Sequence, residues 1–354
     1  MNISTIGIIG GGQLCKMIAI AAINLGYKVF IYTNNKNDPG LIVGEYIVAN
    51  YDDHDAIEYF CTKVDCITCE FENIPYEFLQ HVKRHHPLYP NAEIFKICQD
   101  RIQEKKFLTE LEIAVGKYSI IHNQEDFELY SNKNDNFFIK RPTLGYDGKG
   151  NAFWDGNQES LPKILDYNNF TYPLMLEKAI DFYKEISIIV CRDTKGNIEH
   201  FPIAENVHKN GILHSSFVPA GIDDIVINSA KVISAKIAEK FNLIGILAIE
   251  FFLLKDNSLL VNEMAPRPHN SGHWSLDACN ISQFEQLVRI ITKTPMLPVH
   301  LKSQCKMINL IGDDIINITS QYIANSNAKI YRYGKDSMAN GRKTGHINIM
   351  LDEQ

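Results

Sequence analysis

The start of the chain combines two short apolar runs with one longer stretch of helical spacing. Apolar residues dominate 5–9 and 28–32, whereas 13–25 repeats its apolar positions at helical intervals and stops at Gly26. A glycine triplet at 10–12 separates the first run from this helix. A strand, a tight turn, a helix and a second strand in this order predict a parallel α/β unit.

Breaks in the pattern further along divide the chain into three predicted domains. A third strand at 66–70 precedes a turn-rich break near Pro90, and a single long helix is predicted at 92–108. Short apolar runs then dominate, including a hairpin at 246–264. The predicted fold class is therefore mixed α/β and α+β. The predicted domains are residues 1–91, residues 92–293 with a small β-rich lid at about 118–180, and a β-rich cap at residues 294–354.

Composition and charge narrow the classes of protein that fit this pattern. The 354 residues include 45% hydrophobic and 22% charged ones, which excludes a disordered or fibrous chain. A formal net charge of −7 provides no basic field for nucleic acid or an anionic membrane, and no apolar run approaches the ~20 residues of a bilayer span. Eight cysteines without paired spacing are typical of a reducing compartment. We therefore expect a soluble cytoplasmic protein that binds neither nucleic acid nor membrane.

Cys66 and Cys69 have the spacing of a metal-binding pair. Their segment is predicted to be a strand, however, and residues three apart on a strand point to opposite faces. We therefore predict a packing role for both thiols and no shared metal ion.

The glycine triplet at 10–12 departs from the dinucleotide-binding fingerprint. Cys15 stands where that fingerprint has its third glycine, and the second strand ends at Tyr32-Thr33 without the acidic residue that would bind a ribose hydroxyl. NAD binding is therefore disfavoured. Two interpretations remain: the turn presents backbone N–H groups to an anion such as a substrate phosphate, or it needs glycine only for its shape.

A second glycine cluster, at 145–150, lies between two predicted strands and follows Lys140. This context matches neither a Walker loop nor a Rossmann turn. Either the backbone amides close over a polyphosphate while Lys140 adds a positive charge, or the segment is an ordinary solvent-exposed hairpin.

The hairpin at 246–264 carries the most specific geometric signal. With a two-residue turn at 256–257, Glu250 pairs with Glu263 and their Cβ atoms lie roughly 5 Å apart. Facing carboxylates in apolar strands repel unless a cation separates them, and hard oxygen ligands suit Mg²⁺ shared with nucleotide phosphates. The alternative is that one carboxylate is protonated or points to solvent. The same register predicts that Phe252 pairs with Val261 and Leu254 with Leu259.

The strand that carries Glu263 continues into a loop that contains Arg267, His269 and Asn270. These side chains are donors suited to an oxyanion or to a phosphoryl group in transit. We therefore expect this loop to hold the group that is transferred.

Nine short motifs follow one another along nearly the whole chain, between residues 6 and 349. They are GGGQL at 10–14, EFENIP at 70–75, DR at 100–101, KRPTLGYDGKGN at 140–151, EKAI at 177–180, Glu185, the hairpin at 246–263, NEMAPRPHNSGHW at 262–274 and GRKTGH at 341–346.

This ordered set resembles the 5-(carboxyamino)imidazole ribonucleotide synthase family of ATP-grasp carboxylases, and GYDGKG and APRPHNSGHW are its most specific members. The resemblance implies an ATP-grasp fold with an N-terminal Rossmann-like (pre-ATP-grasp) domain and a small C-terminal β-rich cap, assembled as a homodimer. It also implies that ATP, Mg²⁺ and bicarbonate serve to carboxylate 5-aminoimidazole ribonucleotide in purine biosynthesis. ADP and phosphate would be released after a carboxyphosphate intermediate.

The resemblance also implies four groups of site residues, matched position by position. The nucleotide contacts would be Arg101, Lys140, Gly145, Tyr146, Asp147, Gly148, Lys149, Gly150, Asn151, Glu177, Lys178, Ala179, Ile180, Glu185, His208, Asn262 and Glu263, with 177–180 as the adenine hinge and Glu185 as the ribose ligand. The Mg²⁺ ligands would be Glu250 and Glu263. Bicarbonate and carboxyphosphate would be held by Arg267, His269 and Asn270. The ribonucleotide would be bound by Gln13, Glu72, Tyr146, Asp147, Lys149, Lys335 and Arg342.

Two other functions remain open from the sequence. Another ATP-grasp ligase, such as a formate-using ribonucleotide transformylase, would share the nucleotide site but would not depend on bicarbonate. A Rossmann-type oxidoreductase would use the glycine triplet and bind NADH, but it would leave the facing glutamates unexplained.

Overall fold

The computed structural model describes residues 3–130, 135–145, 150–335 and 341–351, and within them all side chains except those of 318–321. The chain begins with a parallel sheet in the order β3-β2-β1-β4-β5. Its strands are β1 (Thr5–Ile9), β2 (Lys28–Thr33), β3 (Glu45–Val48), β4 (Cys66–Cys69) and β5 (Leu88–Tyr89). The helices between them are α1 (Gln13–Asn24), α2 (His54–Cys61) and α3 (Tyr76–His85), with a 3-10 turn at Pro39–Val43.

The predicted opening unit of strand, turn, helix and strand is confirmed by β1, α1 and β2. The sequence did not predict β3, which forms the edge of the sheet and exposes most of its side chains. A strand that buries so little lacks the apolar alternation that marks a strand in a sequence.

The predicted single helix at 92–108 is wrong, because two helices occupy this stretch. They are α4 (Ala92–Cys98) and α5 (Arg101–Glu110). Between them Asp100 has an extended backbone, and its carboxylate accepts hydrogen bonds from the N–H groups of Ile102 (2.8 Å) and Gln103 (3.2 Å). An aspartate in this position caps a new helix and stops the preceding one from continuing.

A small antiparallel sheet follows, in the order β6-β9-β7-β8. Its strands are β6 (Tyr118–Ile121), β7 (Phe137–Lys140), β8 (Asn151–Trp154) and β9 (Leu174–Lys178), with a 3-10 turn at Glu125–Tyr130 and helix α6 (Leu161–Tyr167). Trp154, Phe127 and Phe137 pack together in a core of its own. This sheet lies within the stretch predicted as the lid.

The largest described sheet runs in the order β15-β14-β10-β12-β13-β16-β18-β17, and β11 pairs with β10. Its strands are β10 (Lys184–Arg192), β11 (Ile198–His200), β12 (Ala204–Lys209), β13 (Ile212–Val218), β14 (Gly245–Leu253), β15 (Leu259–Ala265), β16 (Gln304–Ile311), β17 (Ala328–Arg332) and β18 (Lys343–Leu351). The helices α7 (Asp224–Lys240), α8 (Ser275–Ala278), α9 (Gln283–Ile291) and α10 (Asp314–Tyr322) accompany it, with a 3-10 turn at Asn270–Gly272. Because β13 pairs with β16, the strands after residue 293 continue the same sheet.

A shared hydrophobic core fixes the N-terminal sheet against the large one. Leu14 and Ile18 of α1 belong to the same buried cluster as Ile189 of β10 and as Phe284 and Leu287 of α9. The carboxyl ends of β1 and β4 therefore keep a fixed position relative to the loop that follows β15. None of the helices in the described ranges is both long enough and apolar enough to cross a bilayer.

Candidate active site

Two carboxylates face each other on neighbouring strands of the large sheet. Glu250 on β14 lies opposite Glu263 on β15, as the sequence predicted. One ligand atom each from Glu250, Glu263 and His269 lie within 4.8 Å of one another. Burial and the charge of Glu263 raise the pKa of Glu250. His269 Nδ1 contacts the hydroxyl of Ser271 (2.8 Å). Mg²⁺ prefers oxygen ligands, so the two carboxylates are the members of this group that fit it.

The rest of the predicted hairpin register is wrong. Phe252 pairs with Leu260 and Leu253 with Leu259, one position away from the prediction, and the register returns at Glu250. The turn spans 254–257 and places Asn257 at φ 67°, while a bulge at Asn262 inserts one residue into β15. The longer turn shifts the pairing by one residue, and the bulge shifts it back. Glu250 and Glu263 therefore face each other because of the bulge and not because of a two-residue turn.

Helix α5 holds this bulge through two buried charged residues that the sequence did not reveal as site residues. Glu104 accepts a hydrogen bond from the N–H of Met264 (2.7 Å). Lys105 Nζ donates to the carbonyls of Val261 (3.4 Å) and Asn262 (3.3 Å). Burial and then the charge of Glu263 raise the pKa of Glu104 to about 8. One signal could have found Lys105, since it stands four residues after the proposed nucleotide ligand Arg101 on the same helix.

Lys105 also joins two of the proposed nucleotide contacts. Its Nζ lies 2.9 Å from Glu177 Oε1, and Lys140 forms an ion pair with the other oxygen of Glu177. Burial alone would raise the pKa of Glu177, but Lys140 and Lys105 lower it to about 2. The structure thus brings together Lys140 and Glu177, two of the proposed nucleotide contacts. It also places the ammonium groups of Lys105 and Lys140 beside the proposed nucleotide site.

The proposed adenine hinge follows directly from β9. The backbone N–H of Lys178 donates to the carbonyl of Lys117 (2.9 Å), and that of Ala179 donates to the carbonyl of Asn136 (2.8 Å). Ile180 approaches Gly116 so closely that a Cβ atom there would lie 2.9 Å from its Cδ1. The hinge is therefore fixed by backbone contacts on both sides.

Arg101 holds the start of the second glycine cluster. Its guanidinium donates to the carbonyls of Arg141 (3.2 Å) and Gly145 (3.2 Å), and a Cβ atom on Gly145 would lie only 2.3 Å from Arg101 Nη1. Any larger residue at 145 would displace the Arg101 guanidinium from this position. Gly150 has φ 73° and leads into Asn151 at the start of β8. Tyr146, Asp147, Gly148 and Lys149 lie outside the described residues.

Glu185 on β10 and His208 on β12 form a hydrogen-bonded pair beside the acidic site. Burial alone would lower the pKa of His208, but the hydrogen bond with Glu185 and the carboxylates of Glu250 and Glu263 raise it. The structure therefore joins the proposed ribose ligand to the proposed nucleotide contact His208.

The loop after β15 places its three proposed catalytic residues close to both parts of the site. Arg267 forms an ion pair with Glu72, which lies just before α3. His269 Nδ1 lies 3.8 Å from Glu250 Oε1. Burial followed by the charge of Arg267 lowers the pKa of His269, which favours the neutral imidazole. The side-chain amide of Gln283 accepts a hydrogen bond from the backbone N–H of His269 (2.8 Å) and donates one to its carbonyl (2.8 Å).

Asn270 is buried, yet neither polar atom of its side-chain amide finds a hydrogen-bond partner among the described residues. A buried polar group without a partner is costly, and native structures rarely keep one. The amide therefore has the capacity to bind a small polar molecule at this position.

The glycine turn at 10–12 already holds an anion that belongs to the chain. The carboxylate of Glu70, at the end of β4, accepts hydrogen bonds from the N–H groups of Gly12 (2.8 Å) and Cys15 (3.3 Å). Gly10 has φ 91°, and a Cβ atom at Gly10 or Gly12 would lie 2.8 Å or less from this side chain. Glycine serves the turn and the close approach of Glu70, and a phosphate site on these two N–H groups is not supported.

The proposed ribonucleotide contacts fall near two places. Gln13 starts α1, and on the same helix Lys16 donates to the carbonyl of Tyr333 (3.3 Å), whose ring lies 5.7 Å from Lys335 Nζ. Arg342 precedes Lys343, whose charge partly opposes the rise that burial and Glu263 cause in the pKa of Glu250. The same charge adds to the effect of burial and Arg267 in lowering the pKa of His269. The sequence did not single out Lys343, although GRKTGH contains it.

Comparison with known proteins gives one answer for the whole chain. Three family models match: a ribonucleotide synthetase preATP-grasp domain at 3–99, an ATP-grasp domain at 106–284 and a phosphoribosylaminoimidazole carboxylase C-terminal domain at 305–354. The N5-carboxyaminoimidazole ribonucleotide synthase of Bacillus subtilis is 39% identical over 98% of this chain and 91% of its own length. The enzyme of that name from Brucella melitensis is 39% identical over 97% and 95%.

A solved structure agrees with the sequence relatives. The N5-carboxyaminoimidazole synthetase of Staphylococcus aureus, complexed with ADP, superposes with a TM-score of 0.93 at 33% identity and covers 99% of this chain and 94% of its own. With the facing glutamates, the two lysines beside Glu177 and the donor-rich loop in place, the chain belongs to the N5-carboxyaminoimidazole ribonucleotide synthase family of ATP-grasp enzymes.

Proposed function

We propose that the site around Glu250 and Glu263 carries out the family's reaction with the residues assigned below. In that reaction ATP and bicarbonate carboxylate 5-aminoimidazole ribonucleotide to N5-carboxyaminoimidazole ribonucleotide in purine biosynthesis, with ADP and phosphate as the other products. The observation that carries the assignment is the facing pair of glutamates directly beside the loop with Arg267, His269 and Asn270. Bicarbonate is a poor electrophile, and its phosphorylation to carboxyphosphate supplies the better leaving group.

The nucleotide side of the site belongs to the lid and to α5. When bound between Glu250 and Glu263, Mg²⁺ would neutralise charge on the β- and γ-phosphates. Lys140 and Lys105 would supply positive charge beside them, while Arg101 holds Gly145 at the start of the glycine cluster that would cover them. Residues 177–180 would receive the adenine, Glu185 and His208 the ribose, and the remaining nucleotide contacts would be the glycine cluster at 145–151 and Asn262.

The transferred group would lie on the loop after β15. The Arg267 guanidinium attracts bicarbonate and then the developing carboxyphosphate, and the open amide of Asn270 supplies the donor and acceptor that such an oxyanion lacks. The lowered pKa of His269 favours its neutral form, which would add a hydrogen-bonding group without another charge. Holding bicarbonate close to the γ-phosphate lowers the barrier by removing the cost of bringing the two together.

The ribonucleotide would bind where the N-terminal sheet meets this loop. Glu72 supports this placement, because its ion pair with Arg267 joins the two regions. Gln13, Lys335 and Arg342 would complete the site, with the basic side chains on the phosphate, together with Tyr146, Asp147 and Lys149. All eight cysteines are free thiols, which fits the proposed cytoplasmic location; the homodimer stays a prediction.

The direct test is release of phosphate from MgATP with one component omitted at a time. We expect release that requires both bicarbonate and 5-aminoimidazole ribonucleotide for full rate, and its loss in Glu263→Gln. Full activity with formate in place of bicarbonate would instead identify a transformylase, and reduction of NAD without ATP would identify an oxidoreductase.

A further inference from the structure

A second group of metal-ligating side chains lies on the N-terminal α/β part, outside the site described above. Glu58 on α2 and His81 and His85 on α3 each offer one ligand atom, and these atoms lie within 4.8 Å of one another. Glu58 and His85 are exposed and His81 is half-buried, so an ion from solvent can reach the group. Within the described ranges this is the only such group besides Glu250, Glu263 and His269.

Helix geometry explains how these side chains converge. His81 and His85 stand four residues apart on α3, so they share one face, and their rings stack at 5.4 Å with an interplanar angle of 16°. Glu58 stands four residues after His54 on α2, and the His54 ring lies 5.3 Å from that of His81. Each helix therefore presents a pair of ligating residues to the other.

The packing beneath the group makes this arrangement rigid. Ile57 and Phe60 of α2 and Phe78, Leu79 and Val82 of α3 are buried in a single hydrophobic cluster under the sheet. A buried aromatic and aliphatic core fixes the distance between two helices, because changing it opens cavities. The ligands are thus already close together, and binding requires only side-chain adjustment.

The donor set selects the kind of ion. Two imidazole nitrogens with one carboxylate oxygen are typical ligands of Zn²⁺ and its neighbours in the first transition series, whereas Mg²⁺ prefers oxygen ligands alone. Three protein ligands leave a fourth tetrahedral position for water or for the adjacent His54.

We propose that Glu58, His81 and His85 form a binding site for a divalent transition-metal ion, with Zn²⁺ as the best-fitting one. The ion cross-links α2 and α3. Because it binds the folded arrangement and not the unfolded chain, it stabilises the N-terminal part of the protein. The site is independent of the catalytic assignment, since it shares no residue with it.

Calorimetric titration of the full-length, chelator-treated protein with ZnCl₂ tests the site. A large excess of MgCl₂ competes for carboxylate sites but not for imidazole. We expect wild type to bind one equivalent at this site, and His81→Gln and His85→Gln to bind it at least ~10-fold more weakly. His86→Gln is the matched control, because His86 adjoins the group without belonging to it. The thermal midpoint should rise with ZnCl₂ in wild type and in His86→Gln only.

Two further measurements separate this site from the acidic pair. CoCl₂ should give wild type and Glu263→Gln the visible absorption of histidine-ligated cobalt, and His85→Gln should lack it. Since His85 is exposed, its replacement should leave the far-ultraviolet circular dichroism and Mg²⁺-dependent phosphate release unchanged. Equal zinc affinity in wild type, His81→Gln and His85→Gln, or zinc binding that only Glu263→Gln abolishes, would overturn the proposal, as would a wild type that binds no zinc.

Discussion

Arg267 Nε donates a hydrogen bond to the carboxylate of Glu72, and the two side chains are only 15% and 18% exposed. Arg267 lies on the loop after β15, whereas Glu72 follows the N-terminal strand β4. The ion pair therefore connects the proposed bicarbonate site with the proposed ribonucleotide site. A carboxylated product requires that these two substrates meet, and this contact brings their binding residues together.

Replacing Arg267 by alanine should reduce turnover by ~10²-fold or more while leaving the affinity for ATP nearly intact. In the proposed site the guanidinium faces the transferred group, and loss of such a preorganised donor would raise the barrier to reaction without removing nucleotide contacts. Steady-state kinetics with ATP and the ribonucleotide varied separately, together with binding of an ATP analogue, measure the two effects.

Glu72→Gln is the matched variant for Arg267→Ala. It keeps an oxygen acceptor for the Arg267 hydrogen bond but removes the charge. We expect a higher KM for the ribonucleotide and little change in KM for ATP. Turnover of Arg267→Ala equal to that of wild type would remove Arg267 from the catalytic group.

Replacing Glu177 by glutamine should destabilise the protein by about 3–5 kcal/mol, because a buried ammonium group loses its counter-ion. Lys105 is 2% exposed, and its Nζ forms an ion pair with this carboxylate at 2.9 Å. The partly exposed pair of Lys178 and Asp135 supplies the control, and Asp135→Asn should cost no more than about 1 kcal/mol. Denaturant unfolding at neutral pH measures both. Equal effects of the two substitutions would show that the buried cluster contributes no more than a surface ion pair.

The same cluster predicts a defined acid dependence. The pKa of Glu177 falls from an ordinary 4.5 to about 2 in the folded protein, because Lys140 and Lys105 favour the charged form. Its stabilising contribution is therefore complete above pH 4.5 and is lost as the pH falls towards about 2. Stability curves of wild type and Glu177→Gln should converge across this window.

The acidic pair predicts the opposite dependence when metal is absent. Burial and Glu263 raise the pKa of Glu250, so the unfolded state loses its proton first as the pH rises. Stability in EDTA should therefore decrease from pH 4.5, the ordinary pKa, up to the raised pKa of the folded state. Glu250→Gln should remove this decrease and equal or exceed wild type in stability at neutral pH, because the repulsion is gone.

Mg²⁺ should reverse the effect for wild type only. Saturating Mg²⁺ with an ATP analogue should raise the thermal midpoint of wild type and leave Glu250→Gln and Glu263→Gln nearly unchanged, while both variants lose phosphate release. If either variant is destabilised in EDTA yet turns over normally with Mg²⁺, the carboxylates are a structural pair and not metal ligands.

The sequence predicted those parts of the molecule that local patterns determine. The unit of β1, α1 and β2 follows from apolar periodicity and from glycine. The prediction that Glu250 faces Glu263 is confirmed, but the pairing depends on the bulge at Asn262, which strand alternation does not predict. The role of Glu70 could not be predicted in this way, because its partners in the glycine turn lie 58 and 55 residues away along the chain. Only the adjacency of β1 and β4 brings them together.

Buried charges escaped the sequence for a related reason. Glu104 and Lys105 occupy a helix whose other charged residues are exposed or half-buried, so their burial depends on the strand that packs against them. From the sequence alone, a glutamate or a lysine is expected to face solvent, because these residues are rarely buried. Their role becomes visible only with the contacts to Met264, Val261 and Asn262.

The contact between Glu104 and the backbone of Met264 leads to a further prediction. Glu104→Ala should increase the Mg²⁺ concentration needed for half-maximal phosphate release, because the bulge at Asn262 that turns Glu263 towards Glu250 loses one of its anchors. Glu104→Gln keeps an oxygen at the same place and can still accept from the Met264 N–H, so it should stay close to wild type. KM for the ribonucleotide should change little in either variant, since Glu104 contacts the strand that carries the proposed metal ligand Glu263. Mg²⁺ titrations of the three proteins at saturating substrate measure the effect.

Equal Mg²⁺ requirements for Glu104→Ala and Glu104→Gln would show that Glu104 does not position the proposed metal ligand Glu263. A loss of activity in both variants that Mg²⁺ cannot restore would instead indicate that the carboxyl group of Glu104 acts in the reaction itself.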